Sequence, residues 1–443
     1  MRLWPLAFTI FFVVSGGPYG LEEVMKGGIG IGLLLILLMP LIWALPVALL
    51  TAELTSAIPE EGGYYIWVKR AMGPFAGFLC GWWTWTYSWV DTAIYPVLFV
   101  GYMKSFMFSS FLINPWASFG ISLLMIIPVT WMNIIGIKSV GKAATIFGIL
   151  LLLPFLVMII AGSSNVFTHG GEIFKHFIPS GRTPISAFKA GLFVIMWNYL
   201  GWDSTSTIAG EVEKPQKNFP KAIAIGLPLV ALAYFLPALV GAAAVPDHEK
   251  WVTGCWGNIA AVIGGKYLGY WIGFCGMISA AGLFMATLLS SSRIPLVIAQ
   301  DKALPAAFTK LHPKYKTPYF AILISAFIYT ALSILPFDQL AEIDVILYSS
   351  ALLLEFAALL ILRKKEPNLH RPYKIGGGWP FVILITAIPT LLIIFAFITF
   401  FNIKEVFTSI LAIIALFTGP LIWGMHKLIE KRKKAIPNIK NGL

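Results

Sequence analysis

The 443-residue chain is 58% apolar and only 12% charged, about half the charge of an ordinary soluble domain, which excludes a soluble enzyme. Its net charge of +12 does not mark a nucleic-acid binder, because the basic residues sit at the ends of apolar runs and not in aromatic-interleaved patches. No polar stretch able to house a soluble domain interrupts the runs from Leu3 to Trp423, so the chain reads as an all-α integral membrane protein.

Met1-Arg2 leads straight into an apolar stretch with no small-residue cleavage site, so the first span is expected to be retained. Cutting at charge, proline and glycine punctuation predicts twelve transmembrane helices, near 4–27, 30–57, 74–106, 115–136, 139–162, 184–212, 219–245, 267–300, 318–336, 340–363, 379–402 and 404–428. They form a single transporter-like domain over 1–428, followed by a short basic tail, 429–443. With both termini in the cytoplasm, most of the 32 Lys and Arg residues fall on cytoplasmic loops and tails, as the positive-inside bias requires. The expected location is the plasma (inner) membrane. Clusters at Lys310, Lys314 and Lys316, at Arg363 to Lys365 with Arg371 and Lys374, and at Lys431 to Lys434 are read as topological anchors.

Only two spans are broken near the middle by helix-hostile sequence. The first holds Ser15-Gly16-Gly17-Pro18-Tyr19-Gly20 and the sixth Asn198-Tyr199-Leu200-Gly201-Trp202-Asp203. They lie five spans apart, so repeat one, about 4–162, and repeat two, about 184–363, overlay as inverted halves, with two extra helices over 379–428. Opened backbone at membrane depth survives around a cavity or a bound polar ligand, so this pair of breaks points to a transport site.

The ionisable residues inside the spans are nearly all acidic. Glu22 and Glu23 follow the first break, Asp91 lies in the third span, Asp203 at the second break and Glu355 in the tenth span. Ionised, unpaired and facing lipid, each would cost about 3 kcal/mol. They are therefore candidates for proton coupling or for binding ammonium groups. Glu53 is read as structural, and Glu355 has Arg363 two turns on as an alternative partner. Aromatic residues crowd the same places: Trp82, Trp83, Trp85, Tyr87 and Trp89 before Asp91, Tyr95 after it, and Trp197, Tyr199 and Trp202 at the second break. Aromatic faces favour a cation, whereas Trp82, Trp83 and Trp85 read as belt or packing. Ser290 and Ser291 offer hydroxyls either for a cation site or for helix packing. No Walker loop, catalytic triad or zinc spacing occurs, and Cys80, Cys255 and Cys275 lack metal-ligand spacing, so no enzyme activity, cofactor or metal is expected. A small-molecule substrate and membrane lipid are the expected partners, with no nucleic acid and no obligate protein partner.

Val14 to Glu22, Pro40 to Trp43 with Thr51-Ala52-Glu53-Leu54, Pro59-Glu60 with Gly62-Gly63-Tyr64, and Val90-Asp91 with Ala93 to Phe99 resemble the amino acid/polyamine/organocation (APC) superfamily. Within it they are most similar to the polyamine:proton symporter branch of plants and protozoa. Trp202-Asp203-Ser204, Ala209 to Glu213, Phe219 to Ala222, Tyr348 through Leu354-Glu355-Phe356, and Arg371 to Ile375 agree. The resemblance implies a leucine-transporter-like five-plus-five inverted repeat and alternating access, with spans 1, 2, 6 and 7 rocking against spans 3, 4, 8 and 9. It implies import of a small cationic substrate, a polyamine or a cationic amino acid, coupled to protons. Substrate would contact Ser15, Gly16, Gly17, Tyr19, Gly20, Glu22, Asp91, Tyr95, Asn198, Tyr199, Gly201, Trp202 and Asp203; the proton would use Glu22, Glu23, Asp91, Asp203 or Glu355. The alternative is a neutral amino acid permease, proton- or sodium-coupled, or an exchanger, in which the amides of Gly16 to Gly20 hold a carboxylate and the carbonyls of Asn198 to Gly201 an ammonium. Val47 stands where a plant-type carrier would hold an acid, and the stretch from Ile149 to Phe155 is purely apolar where some proton-coupled relatives carry lysine. An acid or a sodium ion is then left as the coupling element.

Overall fold

A computed structural model describes residues 2–60, 62–106, 111–135, 140–175, 177–401 and 406–435. The described residues are helical with no strand. In chain order the helices are α1 (Leu3–Val14), α2 (Ile29–Met39), α3 (Leu45–Ala57), α4 (Tyr64–Met72), α5 (Pro74–Phe106), α6 (Pro115–Ile135), α7 (Val140–Lys175), α8 (Pro184–Asn198), α9 (Pro215–Ala244), α10 (Trp256–Gly264), α11 (Lys266–Ser291), α12 (Arg293–Gln300), α13 (Tyr319–Leu332), α14 (Phe337–Lys365), α15 (Gly378–Phe401) and α16 (Val406–Ala435).

Eight described helical stretches are long and apolar enough to cross a membrane: Ile29–Ala57, Pro115–Ile135, Leu150–Thr168, Pro215–Ala244, Lys266–Gln300, Phe337–Lys365, Gly378–Phe401 and Val406–Ile429. This is a multi-pass architecture. Every predicted span overlaps a helical stretch, including α5, whose 33 residues are diluted by Trp, Tyr and Thr in their first half. The predicted starts at 139 and 404 and the end of the basic tail fall outside the described residues. The stretch Ile29–Ala57 continues through two prolines because the helix widens into a π-turn at Pro40–Ala44, which absorbs the lost N–H of Pro40. Helix α7 runs to Lys175, well past the expected end at 162, since Ser163, Ser164 and Asn165 are tolerated in a helix. The short helices α4 and α10 were not expected; α4 buries Tyr64, Tyr65, Trp67, Val68 and Ala71 and turns Lys69 and Arg70 outward.

The two broken segments have the same form. Helix α1 ends at Val14, and after a turn through Gly16 to Gly20 the chain resumes as a 3-10 helix, Glu22–Gly27. Helix α8 ends at Asn198, and after Gly201 a 3-10 helix runs over Ser204–Glu211. Arg2, before α1, lies 3.6 Å from Glu213 at the far end of the second segment. Arg182, before α8, donates to the carbonyl of Lys26 at the far end of the first. Each segment therefore begins where the other ends, and the two run antiparallel through the core.

Charged side chains gather at two ends of the bundle, linked by α14. At one end Arg363 grips buried Glu53 on α3, Lys69 pairs with Asp301, and Arg70 with Glu366. At the other, Glu23 pairs with Lys26, which lies 3.8 Å from Asp338. The Glu53 site is fully internal: Arg363 Nε donates to Oε1 at 2.8 Å, the backbone N–H of Ile375 donates to Oε2 at 2.8 Å, and Arg371 Nε lies 3.2 Å from Oε1. Arg363 is thus engaged by Glu53, not by Glu355. Buried charge of this kind holds only when both partners are present.

Candidate functional site

The two breaks meet at the bundle centre. Asn198 Nδ2 donates to the carbonyl of Gly20 at 3.2 Å and to Val194 at 2.8 Å, and the carbonyl of Asn198 accepts from Tyr234. Gly16 has φ +57°, a conformation that favours glycine, and a Cβ there would sit 2.6 Å from Leu283 Cδ1. The polar backbone of the first break is largely taken by the protein itself. Ser279 Oγ donates to the carbonyl of Gly16, Trp256 Nε1 to that of Pro18, the N–H of Gly17 to Ser15 Oγ, and the N–H of Gly20 to the hydroxyl of Tyr102.

Beside this junction lies a cavity of about 50 Å³. Of the expected site residues, Ser15, Asp91, Tyr95, Asn198 and Gly201 line it, as do Ser290 and Ser291. Asp91 is tightly held: the hydroxyl of Tyr95 donates to both of its oxygens at 3.0 Å, Trp197 Nε1 to Oδ1 at 3.0 Å, and Thr287 Oγ1 to Oδ2 at 3.3 Å. Asp344, on α14, lines the same cavity. It is fully buried, and neither of its carboxylate oxygens has a hydrogen-bond partner among the described residues. None of the residues lining the cavity is basic, while Tyr64, Tyr87, Tyr95, Tyr234 and Trp197 supply aromatic wall. Carboxyl groups and aromatic faces both attract ammonium groups.

The sequence reading passed over Asp344. It stands eleven residues before Glu355, three helical turns, and so on the same face of α14, a spacing that does mark it. Tyr64, Thr207 and Tyr234 carried no comparable signal.

The remaining candidates lie outside the cavity wall. Gly16, Gly17, Tyr19 and Gly20 form the turn behind it, with the ring of Tyr19 edge-on to Tyr102 at 5.2 Å. Glu22 accepts from Tyr102 at 2.8 Å and from the N–H of Gly254 at 3.2 Å; Glu23 is bonded by Lys26 and Thr253. Tyr199 donates to the carbonyl of Ile36, and Trp202 is fully buried, beside Gly226. Asp203 accepts from the hydroxyl of Tyr348 at 2.8 Å, and its carboxyl is in hydrogen-bonding contact with that of Glu355. That pair sits one residue behind Ser204, which lines the cavity with Tyr87. Trp82, Trp83 and Trp85 point their indole N–H groups at Thr418, Leu416 and Ser325 and do not reach the cavity.

A second cavity adjoins the first on one side. Tyr64, Thr207 and Ile294 also line this second cavity of about 220 Å³, which includes Arg293, Gln300 and Lys316, at the end of the bundle where Lys69 meets Asp301. Toward the opposite end Trp197 packs on Phe337, and the Tyr19, Tyr102 and Glu22 group closes the turn.

A helical membrane protein with broken helices around an internal polar chamber is a membrane permease, not an enzyme. The chain belongs to the amino acid permease family, whose model matches residues 7–433. It is 35% identical over 435 residues to the polyamine transporter RMV1 of Arabidopsis thaliana, covering 97% of this chain and 85% of that one. It is 36% identical over 395 residues to the polyamine transporter PUT1 of Oryza sativa subsp. japonica, covering 88% and 72%. It is also 25% identical over 446 residues to the branched-chain amino acid permease BcaP of Bacillus subtilis, covering 94% and 90%.

Proposed function

We propose that the chain imports polyamines across the plasma (inner) membrane by alternating access, driven by protons. The observation that carries this reading is the pairing of Asp91 with Asp344 in a cavity lined by no basic residue. Two acids a short distance apart suit a ligand with two or more ammonium groups, and the relatives named polyamine transporters support it. The first break leans the same way: of the Gly16 to Gly20 amides that an amino acid carboxylate would use, those of Gly17 and Gly20 already bond Ser15 and Tyr102.

The fold under this proposal has twelve crossings, and the antiparallel broken segments are the first helices of two inverted five-helix repeats. Both termini lie in the cytoplasm, so the cavity bearing Arg293 and Lys316 is the cytoplasmic vestibule. Tyr64, Thr207 and Ile294, which line both cavities, are then the side chains that substrate passes on the way to release.

The contact between Asp203 and Glu355 supports their role in coupling. Two buried carboxyl groups side by side repel when both are ionised, so such a pair favours carrying a proton. Protonation of this pair from outside, and its loss inside, ties the pair to the adjacent Ser204 and Tyr87 of the cavity wall.

The test is calorimetric titration of the detergent-solubilised protein with spermidine, putrescine and leucine. The account expects saturable heat with the polyamines and none with leucine; binding of leucine displaced by other neutral amino acids would contradict it.

A further inference from the structure

A third cavity, which shares no lining residue with the transport site, lies on another face of α5. It has a volume of about 1050 Å³ and is walled by Trp82, Trp85 and Trp89 of α5, Phe308, Ile324 and Trp423. The three α5 indoles form an edge-to-face ladder, with ring centroids 5.6 Å and 4.9 Å apart. Their N–H groups are consumed inside the protein, Trp82 on Thr418 and both Trp85 and Trp89 on Ser325. What they present to the groove is therefore hydrocarbon.

The rim at one end is of opposite character. Lys302, His426 and Lys427 line it, with Asp301 as the acidic member. Asp301 is neutralised locally. Burial opposes ionisation there, yet the Lys69 ammonium and the Tyr65 hydroxyl hold its carboxyl below the usual carboxylate range, and both bond it directly. Lys302 and Lys427 are exposed, and Lys427 lies 5.1 Å from the ring centroid of Trp423, where the groove meets the rim. The rim thus presents two exposed lysine side chains beside the apolar groove.

From this juxtaposition we infer that the groove is a binding site for an anionic phospholipid of the surrounding bilayer, with an acyl chain against the tryptophan ladder and the headgroup phosphate between Lys302 and Lys427. A zwitterionic lipid fills the same apolar groove but gains less at the rim. Lysines at an anionic membrane surface are worth roughly a factor of five each, so the two together give a preference of roughly 25-fold. The site is independent of which solute the central cavity carries.

The experiment is native mass spectrometry of the full-length protein, delipidated in detergent and given equal amounts of dioleoylphosphatidylglycerol and dioleoylphosphatidylcholine. The expected result is retention of the phosphatidylglycerol roughly 25-fold over the phosphatidylcholine, reduced to parity in Lys302→Gln/Lys427→Gln and kept in Lys310→Gln/Lys374→Gln, which removes two lysines that do not line the groove. Equal retention of both lipids by the unaltered protein, or an unchanged preference in Lys302→Gln/Lys427→Gln, would overturn the assignment. So would a copurifying peptide whose mass excludes both lipids.

Discussion

Asp91 and Asp344 line one buried cavity in opposite conditions: Asp91 accepts hydrogen bonds from Tyr95, Trp197 and Thr287, while Asp344 receives none from any described side chain. A carboxylate satisfied by the protein is a fixed charge. A buried one left unsatisfied is costly until something donates to it. Under the proposed function Asp91 is the preset anchor and Asp344 the carboxyl group that a substrate ammonium would pair with.

Asp344→Asn should weaken spermidine binding by about 10- to 100-fold, the range for loss of a charge-assisted hydrogen bond. It should also leave thermal stability in detergent unchanged or slightly raised, because an uncompensated buried acid is removed. Calorimetric titration and a melting curve check both halves. Unchanged affinity would take Asp344 out of the substrate site.

Substitutions in the Asp203 and Glu355 pair should separate binding from coupling. Neither residue lines the cavity, so Glu355→Gln and Asp203→Asn are expected to keep spermidine affinity within a few-fold while abolishing concentrative uptake under a proton gradient. Counterflow, which needs no gradient, should survive. Full gradient-driven accumulation in either variant would remove the pair from the mechanism.

Gly16→Leu places a branched side chain at φ +57° with its Cβ 2.6 Å from Leu283. Both the backbone conformation and the space resist it, so transport should be lost. Gly16→Ala should fail less completely, since Leu283 has room to turn. Monodisperse protein on gel filtration separates a blocked site from a collapsed fold; uptake like that of the unaltered protein would mean the turn tolerates a side chain.

Arg363→Met should destabilise the fold by on the order of 3 kcal/mol, because it leaves the buried carboxylate of Glu53 with Arg371 and the N–H of Ile375 in place of two guanidinium groups. Adding Glu53→Leu should recover much of that loss, since an apolar pair can replace a buried ion pair. Melting temperatures of the two single variants and the double variant give the coupling directly.

The helical plan was legible because apolar length and Gly/Pro punctuation are written residue by residue, and the two breaks at Gly16 to Gly20 and Asn198 to Asp203 stand out against twelve apolar runs. Helices α4 and α10 were hidden because they are short and lie in segments that read as loops. The cavity was legible in part: Asp91 and Tyr95 lie one helical turn apart, so their contact follows from spacing alone. Asp344 was not singled out, since an acid near the start of a span also reads as an end-of-helix residue facing water. Only the packing of α14 against α5 turns it inward. The partners of Glu53 were equally hidden, because Arg363 and Ile375 come to it from more than three hundred residues away.

The central claim is proton-driven carriage of a polyamine, and uptake of labelled spermidine into proteoliposomes with an alkaline interior tests it most directly, with arginine, leucine and sodium added separately. The account predicts uptake that collapses with a protonophore, is indifferent to sodium and resists excess leucine. No spermidine uptake, together with accumulation of an amino acid under the same gradient, would contradict it and return the specificity of the site to the backbone of the first break.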